Sequence, residues 1–267
     1  MPETTRHPIT LQRMLRHLDG MERVETRRDI PYFTSGGVTQ GMDIYYPVVM
    51  PDSGAPLVLV VAGYRDVGVP LTLGCRFKEM ELSISLAQLI AASGMAAGVY
   101  ETSEPAVDGR RVVAFVRDNA QALRLDRDRI GLWAASGNGP TAVALLMERG
   151  ADLRAAVLSA VFTMDLEGSA VADAAAEYRF ANAAAGKKVG DLPKDVPLLL
   201  VRAGREQFQG LNAALDRFVV AALDENVPLT LINHATAPHG FELYDDSPSS
   251  HYIVDTMLQF MRSHLGR

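Results

Sequence analysis

The 267-residue chain predicts an α/β fold: a mostly parallel central sheet with an antiparallel N-terminal edge, helices on both faces and a small cap insertion. Three observations carry this. From residue 57 onward, short apolar runs alternate with segments of helical spacing, the pattern that right-handed crossovers turn into a parallel sheet. The run Leu57-Val58-Leu59-Val60-Val61 is apolar at every position, so it belongs in the middle of a sheet covered on both faces. Two strand-like stretches precede it, separated by Ser35-Gly36-Gly37, a hairpin signal that supplies the antiparallel edge.

The elements follow in order. Leu11, Met14, Leu15 and Leu18 share one face of a short helix. This N-terminal helical extension, residues 1–20, packs on the domain or on a second copy of the chain, a homodimer in the latter case. Residues 22–33 and 42–46 are the hairpin strands. After the 57–61 strand comes a loop, Ala62-Gly63-Tyr64-Arg65-Asp66, with no helix signal before Glu79. Leu82, Leu86, Leu89 and Ile90 then mark a helix that Gly94 stops. Residues 95–100 form a strand, and Val112, Phe115, Val116 and Leu123 mark the next helix. Residues 130–135 are a strand and 141–149 a helix; 155–160 are a strand. The alanine-rich stretch 163–195 breaks the rhythm and reads as one or two small helices inserted over the sheet as a cap. A strand at 196–203 restores the alternation. The amphipathic helix Leu211–Leu223, a strand at 227–233 and a C-terminal helix over Ile253–Leu265 complete it. No repeat or linker divides the chain, so 1–267 is read as a single domain.

Composition narrows the function. With 48% hydrophobic residues, 22% charged and a net charge of −6, the chain suits one sizeable core, and no basic run marks it for nucleic acid. Cys75 is the only cysteine, so no intramolecular disulfide or cysteine-based zinc cluster is expected, and it reads as a small buried apolar residue. The first residues lack the apolar core of a signal peptide, and no apolar run approaches the roughly 20 residues that span a bilayer. A membrane is therefore not expected as a partner, and the cytoplasm is the default setting.

In an open parallel sheet, ligands bind at the carboxyl ends of the strands. Those ends carry Gly63-Tyr64-Arg65-Asp66, Glu101-Thr102, Ser136-Gly137, Phe162-Thr163-Met164-Asp165, Gly204-Arg205-Glu206, and His234 through His239-Gly240. The stretch Ile130-Gly131-Leu132-Trp133-Ala134-Ala135-Ser136-Gly137-Asn138-Gly139-Pro140 has the layout of a strand, a sharp turn and a helix with Ser136 at the apex, its hydroxyl thrown clear of the sheet. An ordinary capping serine has the same local pattern. What separates the two is the sequel: an acid at a later strand end, then a histidine at the last. No histidine pair has the spacing and acidic company of a metal site.

Taken together, Asp43-Ile44-Tyr45-Tyr46-Pro47, Gly63-Tyr64-Arg65-Asp66, the Ser136 turn, Ala203-Gly204-Arg205-Glu206 and Pro238-His239-Gly240-Phe241 make residues 22–267 resemble an α/β-hydrolase, closest to the dienelactone hydrolase-like and carboxylesterase branch. The resemblance implies the α/β-hydrolase fold and a serine esterase that cleaves small or short-chain esters without a metal or organic cofactor. Ser136 would be the nucleophile, since a serine hydroxyl needs an adjacent base, and His239 that base; His234, nearer the strand, reads as structural. The acid is expected to be Glu206, with Asp165 the alternative and Glu101 behind both. The oxyanion donors would be the Gly137 backbone N–H and Tyr64, through either its backbone N–H or its phenol. Gly63, Arg65, Phe162, Met164 and Phe241 are the expected pocket residues, with Arg65 and Asp66 also able to brace the loop. Two features depart from the pattern. Ala134 and Asn138 stand where glycine is usual, and asparagine there is expected to exploit its tolerance of unusual backbone angles. Dienelactone hydrolase proper has a cysteine nucleophile. A peptidase, amidase or acyltransferase on the same triad, and a non-catalytic binding protein of this fold, are the competing readings.

Overall fold

The computed structural model describes residues 6–67, 73–148, 150 and 152–266. Eight strands form one sheet: β1 (Glu25–Ser35), β2 (Val38–Tyr46), β3 (Ala55–Val60), β4 (Ala96–Tyr100), β5 (Leu125–Ser136), β6 (Ala156–Val161), β7 (Leu198–Arg205) and β8 (Leu229–Pro238). Their spatial order is β1-β2-β4-β3-β5-β6-β7-β8. β2 pairs antiparallel with both β1 and β4, and every pairing from β4 to β8 is parallel. The helices are α1 (Glu81–Ala92), α2 (Pro105–Asp118), α3 (Gly139–Leu146), α4 (Val171–Tyr178), α5 (Leu211–Asp224), α6 (Phe241–Tyr244) and α7 (Pro248–Leu265). The predicted fold class is the observed one.

Burial explains the composition of the strands. Every residue of β3 and of β6 is buried, so neither strand shows the in–out alternation of a one-sided sheet. The edge strand β1 is mostly exposed and holds its polar residues. Boundaries shift where a cap outweighs the apolar spacing. α2 starts at Pro105, before its first predicted apolar residue, because Asp108 Oδ2 accepts the N–H groups of Ser103 and Glu104 at 2.8 Å each and proline suits a first helical position. α3 starts at Gly139 and ends at Leu146; residue 149, the predicted end, lies outside the described residues.

The N-terminal extension is not the predicted helix. Among its described residues up to 18, only Pro8–Leu11 winds, as a single 3-10 turn. Its backbone donors are taken by tertiary partners: Met14 N–H by Ser85 Oγ at 2.9 Å and Leu15 N–H by the Glu242 carbonyl at 2.9 Å. A donor spent on another element cannot also close an i to i−4 bond. Met14 and Leu18 pack on the core, while Leu11 and Leu15 face outward.

The stretch 163–195 contains α4 and a 3-10 turn at Val189–Asp191. Phe162, Val171, Ala174, Phe180 and Leu211 form a small apolar cluster of their own, apart from the main core. Among the described residues, no helix is long and apolar enough to cross a membrane, and no three His, Cys, Asp or Glu side chains converge as a metal site.

Candidate active site

Ser136 ends β5 with φ of 56°, in the left-handed region that a non-glycine residue occupies at a cost. The turn into α3 is tight. A Cβ at Gly139 would sit 2.0 Å from the Phe162 carbonyl oxygen, and one at Gly137 would sit 2.5 Å from the Tyr64 hydroxyl. The crowding thus falls one and three residues past the serine. Asn138 itself has φ −81° and ψ −12°, ordinary right-handed angles, so its tolerance of unusual backbone is not what the turn uses; the strain sits on Ser136.

The parallel register of β7 and β8 pairs Arg205 with Pro238, which sets the following residues, Glu206 and His239, side by side. His239 Nε2 lies 3.0 Å from Ser136 Oγ and His239 Nδ1 lies 2.7 Å from Glu206 Oε2. The carboxylate is held from behind, its Oε1 accepting the Phe208 N–H at 2.8 Å. The His239 backbone is held by Gln207, whose Oε1 accepts its N–H at 3.0 Å, and the Phe208 ring stands edge-on to the imidazole at 4.5 Å. The Glu206 side chain is only 2% exposed. A proton on Nδ1 directed at Glu206 leaves Nε2 free to accept the serine proton, which is the tautomer that base catalysis requires.

The other candidates lie elsewhere. Asp165 is exposed and its nearest polar partner is Ser169 Oγ at 3.4 Å. Glu101 is buried in an ion-pair cluster with Arg76 at 2.6 Å and Lys78 at 3.5 Å. His234 is buried against Phe241, with Nε2 2.9 Å from Ser250 Oγ.

Tyr64 is half-buried, and burial pushes its phenol up to about 12, so it is a neutral donor near neutral pH. Its ring meets Phe180 edge-on at 6.4 Å. The loop that carries it is anchored by Asp66, whose carboxylate accepts Thr102 N–H at 2.7 Å and Phe77 N–H at 2.8 Å. Burial pushes that carboxyl up to about 6 against the pull of those two bonds.

A cavity of about 310 Å³ opens on Ser136, Gly137 and His239. Phe162, Tyr178, Phe180 and Phe208 form its aromatic side; Ile9, Met14, Phe77 and Met80 form an apolar side. Phe162 is there as expected. Four expected pocket residues are not among its lining residues. Gly63 is buried, and a Cβ there would come 2.7 Å from the Asn138 Cα. Arg65 is exposed because the loop spends Asp66, not its neighbour, on inward bonds. Met164 and Phe241 are fully buried in the core. Gln207 and Phe208, which brace His239, were adjacent in sequence to the predicted acid and could have been suspected. Ser159 and Glu242, which line the cavity and share a hydrogen bond across 83 positions, had no local signal. Burial raises the Glu242 carboxyl above its ordinary range.

No family model matches the sequence, and no curated protein matches it. Solved structures do. MGS-M1, an alpha/beta hydrolase enzyme from a Medee basin deep-sea metagenome library, is similar at 18% identity and TM-score 0.66 over 91% of this chain and 99% of that one. EstE1, a thermophilic carboxylesterase from a metagenomic library, is similar at 18% identity and TM-score 0.68 over 90% and 89%. An esterase of Rhizomucor miehei is similar at 14% identity and TM-score 0.69 over 91% and 84%. The chain has the α/β-hydrolase fold. Along the sequence the three side chains that meet here follow in the order serine, acid, histidine: Ser136, Glu206 and His239.

Proposed function

We propose that the protein is a serine hydrolase that cleaves carboxylic esters of small substrates through an acyl-enzyme. The observation that carries the reading is the continuous relay Ser136 Oγ to His239 Nε2 at 3.0 Å and His239 Nδ1 to Glu206 at 2.7 Å, opening on an apolar cavity. Ser136 Oγ bonds to the ester carbonyl carbon while its proton passes to His239 Nε2. The carbonyl oxygen takes up the negative charge and meets the Gly137 N–H and the Tyr64 phenol. Collapse breaks the bond to the alcohol, which leaves with the proton from His239. Water then attacks the acyl carbon with His239 again as base, releasing the carboxylic acid and restoring Ser136. Glu206 keeps Nδ1 protonated and stabilises the imidazolium.

The phenol is favoured over the Tyr64 backbone because its oxygen lies beside the Gly137 Cα, where a Cβ would come within 2.5 Å of it, close to the other proposed donor. Small substrates are favoured by the cavity of about 310 Å³, at the lower end of ligand pockets, and by the aromatic side, which suits short acyl chains or small aromatic esters.

The test is fluorophosphonate labelling and p-nitrophenyl acetate hydrolysis, with Ser136→Ala beside the wild type. Labelling and turnover that vanish together in the variant support the reading; a wild type that does neither overturns it and leaves a binding protein. An acyl-length series tests substrate size, where preference for chains beyond about eight carbons would contradict the short-chain assignment.

A further inference from the structure

Asn138 occupies the position where the usual nucleophile turn has glycine, and its side chain joins two elements. Nδ2 donates to the Ala135 carbonyl at 2.9 Å, inside the turn, and Oδ1 accepts the Gly63 N–H at 2.7 Å, on the loop that carries Tyr64. The partners fix the amide's orientation: rotated, it would set oxygen against carbonyl and N–H against N–H. The approach is close. A Cβ at Gly63 would come 2.7 Å from both the Asn138 Cα and the Gly137 carbonyl oxygen. From the other side, the Gly63 carbonyl accepts the Ala181 N–H of the inserted segment at 2.8 Å. Gly63, just before Tyr64, is therefore held at both its N–H and its carbonyl, by the turn and by the inserted segment.

We propose that Asn138 is a positioning residue that clasps the Tyr64 loop to the nucleophile turn, so that the Tyr64 phenol and the Gly137 N–H converge on one oxyanion. This rests on the esterase reading and on the phenol as donor. A glycine at 138 would permit the turn but would leave the loop tied to it by packing alone. Because the oxyanion forms only during reaction, the clasp acts on the transition state rather than on substrate binding.

The test is a double-mutant cycle of Asn138→Gly and Tyr64→Phe, with Asn138→Ala as a second variant and thermal melting to verify folding. Asn138→Gly is expected to lower kcat about 10- to 100-fold with KM within about threefold, the scale of a displaced catalytic group. In the Tyr64→Phe background the same change is expected to cost less than about threefold, since the phenol it serves is gone. Equal losses in both backgrounds, or no loss in either, overturn the proposal. Amide exchange at Gly63 supplies a readout that needs no substrate. It is expected to be at least about tenfold faster in both Asn138 variants, and unchanged exchange overturns the clasp even if the wild type hydrolyses no ester. Absent wild-type turnover with accelerated exchange sinks the esterase reading, and with it the oxyanion role.

Discussion

Tyr64→Phe removes one oxygen atom and tests the oxyanion assignment. The ring keeps its edge contact with Phe180 at 6.4 Å, and no described side chain accepts a hydrogen bond from the hydroxyl, so no buried partner is orphaned. Stability is therefore expected to change by less than about 1 kcal/mol. The catalytic cost is larger. With burial holding the phenol's pKa at about 12, the group is a neutral, preorganised donor in a partly desolvated site. Loss of such a donor costs about 10²–10³ in kcat, or about 2.7–4 kcal/mol of transition-state stabilisation. Steady-state hydrolysis of p-nitrophenyl acetate should show that loss with KM nearly unchanged, and the fluorophosphonate labelling rate should fall in parallel, because the phosphonyl oxygen occupies the same point. A variant that folds and keeps kcat within about threefold of wild type refutes the reasoning. The donor would then be the Tyr64 backbone N–H, which the substitution leaves intact.

Three further outcomes follow from the same geometry. Glu206→Gln should lower kcat about 10²–10⁴-fold, because the bond to His239 Nδ1 at 2.7 Å loses its charge, whereas Asp165→Asn should leave kcat within about twofold; the reverse pattern would make Asp165 the acid. Gly139→Ala should lower the urea midpoint and the turnover together, since its Cβ would lie 2.0 Å from the Phe162 carbonyl oxygen, a backbone atom that cannot swing away; overpacking of this kind costs about 1–3 kcal/mol, and a variant as stable as wild type would show that the turn can widen. Asp66 has a native pKa of about 6, raised by burial, beside Glu101 and Arg76. A raised acid binds its proton more tightly in the folded state, so its contribution is present below the unfolded value and is lost as pH rises from about 4 through about 6, on the order of 3 kcal/mol. Asp66→Asn should flatten that part of the urea-derived stability profile relative to wild type; identical profiles would remove Asp66 as its source.

The order of strands and helices, the hairpin and the buried β3 run were legible along the chain, because apolar periodicity and Gly and Pro signals act over a few residues. For the same reason Ser136 stood out at a strand-to-helix turn, and His239 before the last helices. What the chain order left open was distance. Glu206 and Asp165 both follow strands, and only the β7–β8 register, pairing Arg205 with Pro238, sets Glu206 against the imidazole and leaves Asp165 exposed. Met164 and Phe241 looked like pocket residues by position, yet the packing of the sheet turned them into the core. Residues 9–18 carried helical spacing, but Ser85 and the Glu242 carbonyl took the backbone donors a helix would need. Asn138 read as a flaw in a turn. Folded, its amide spans to Gly63, 75 positions away. A hydrogen bond between distant segments has no signature in local composition; it exists only once the fold has brought its donor and acceptor within reach.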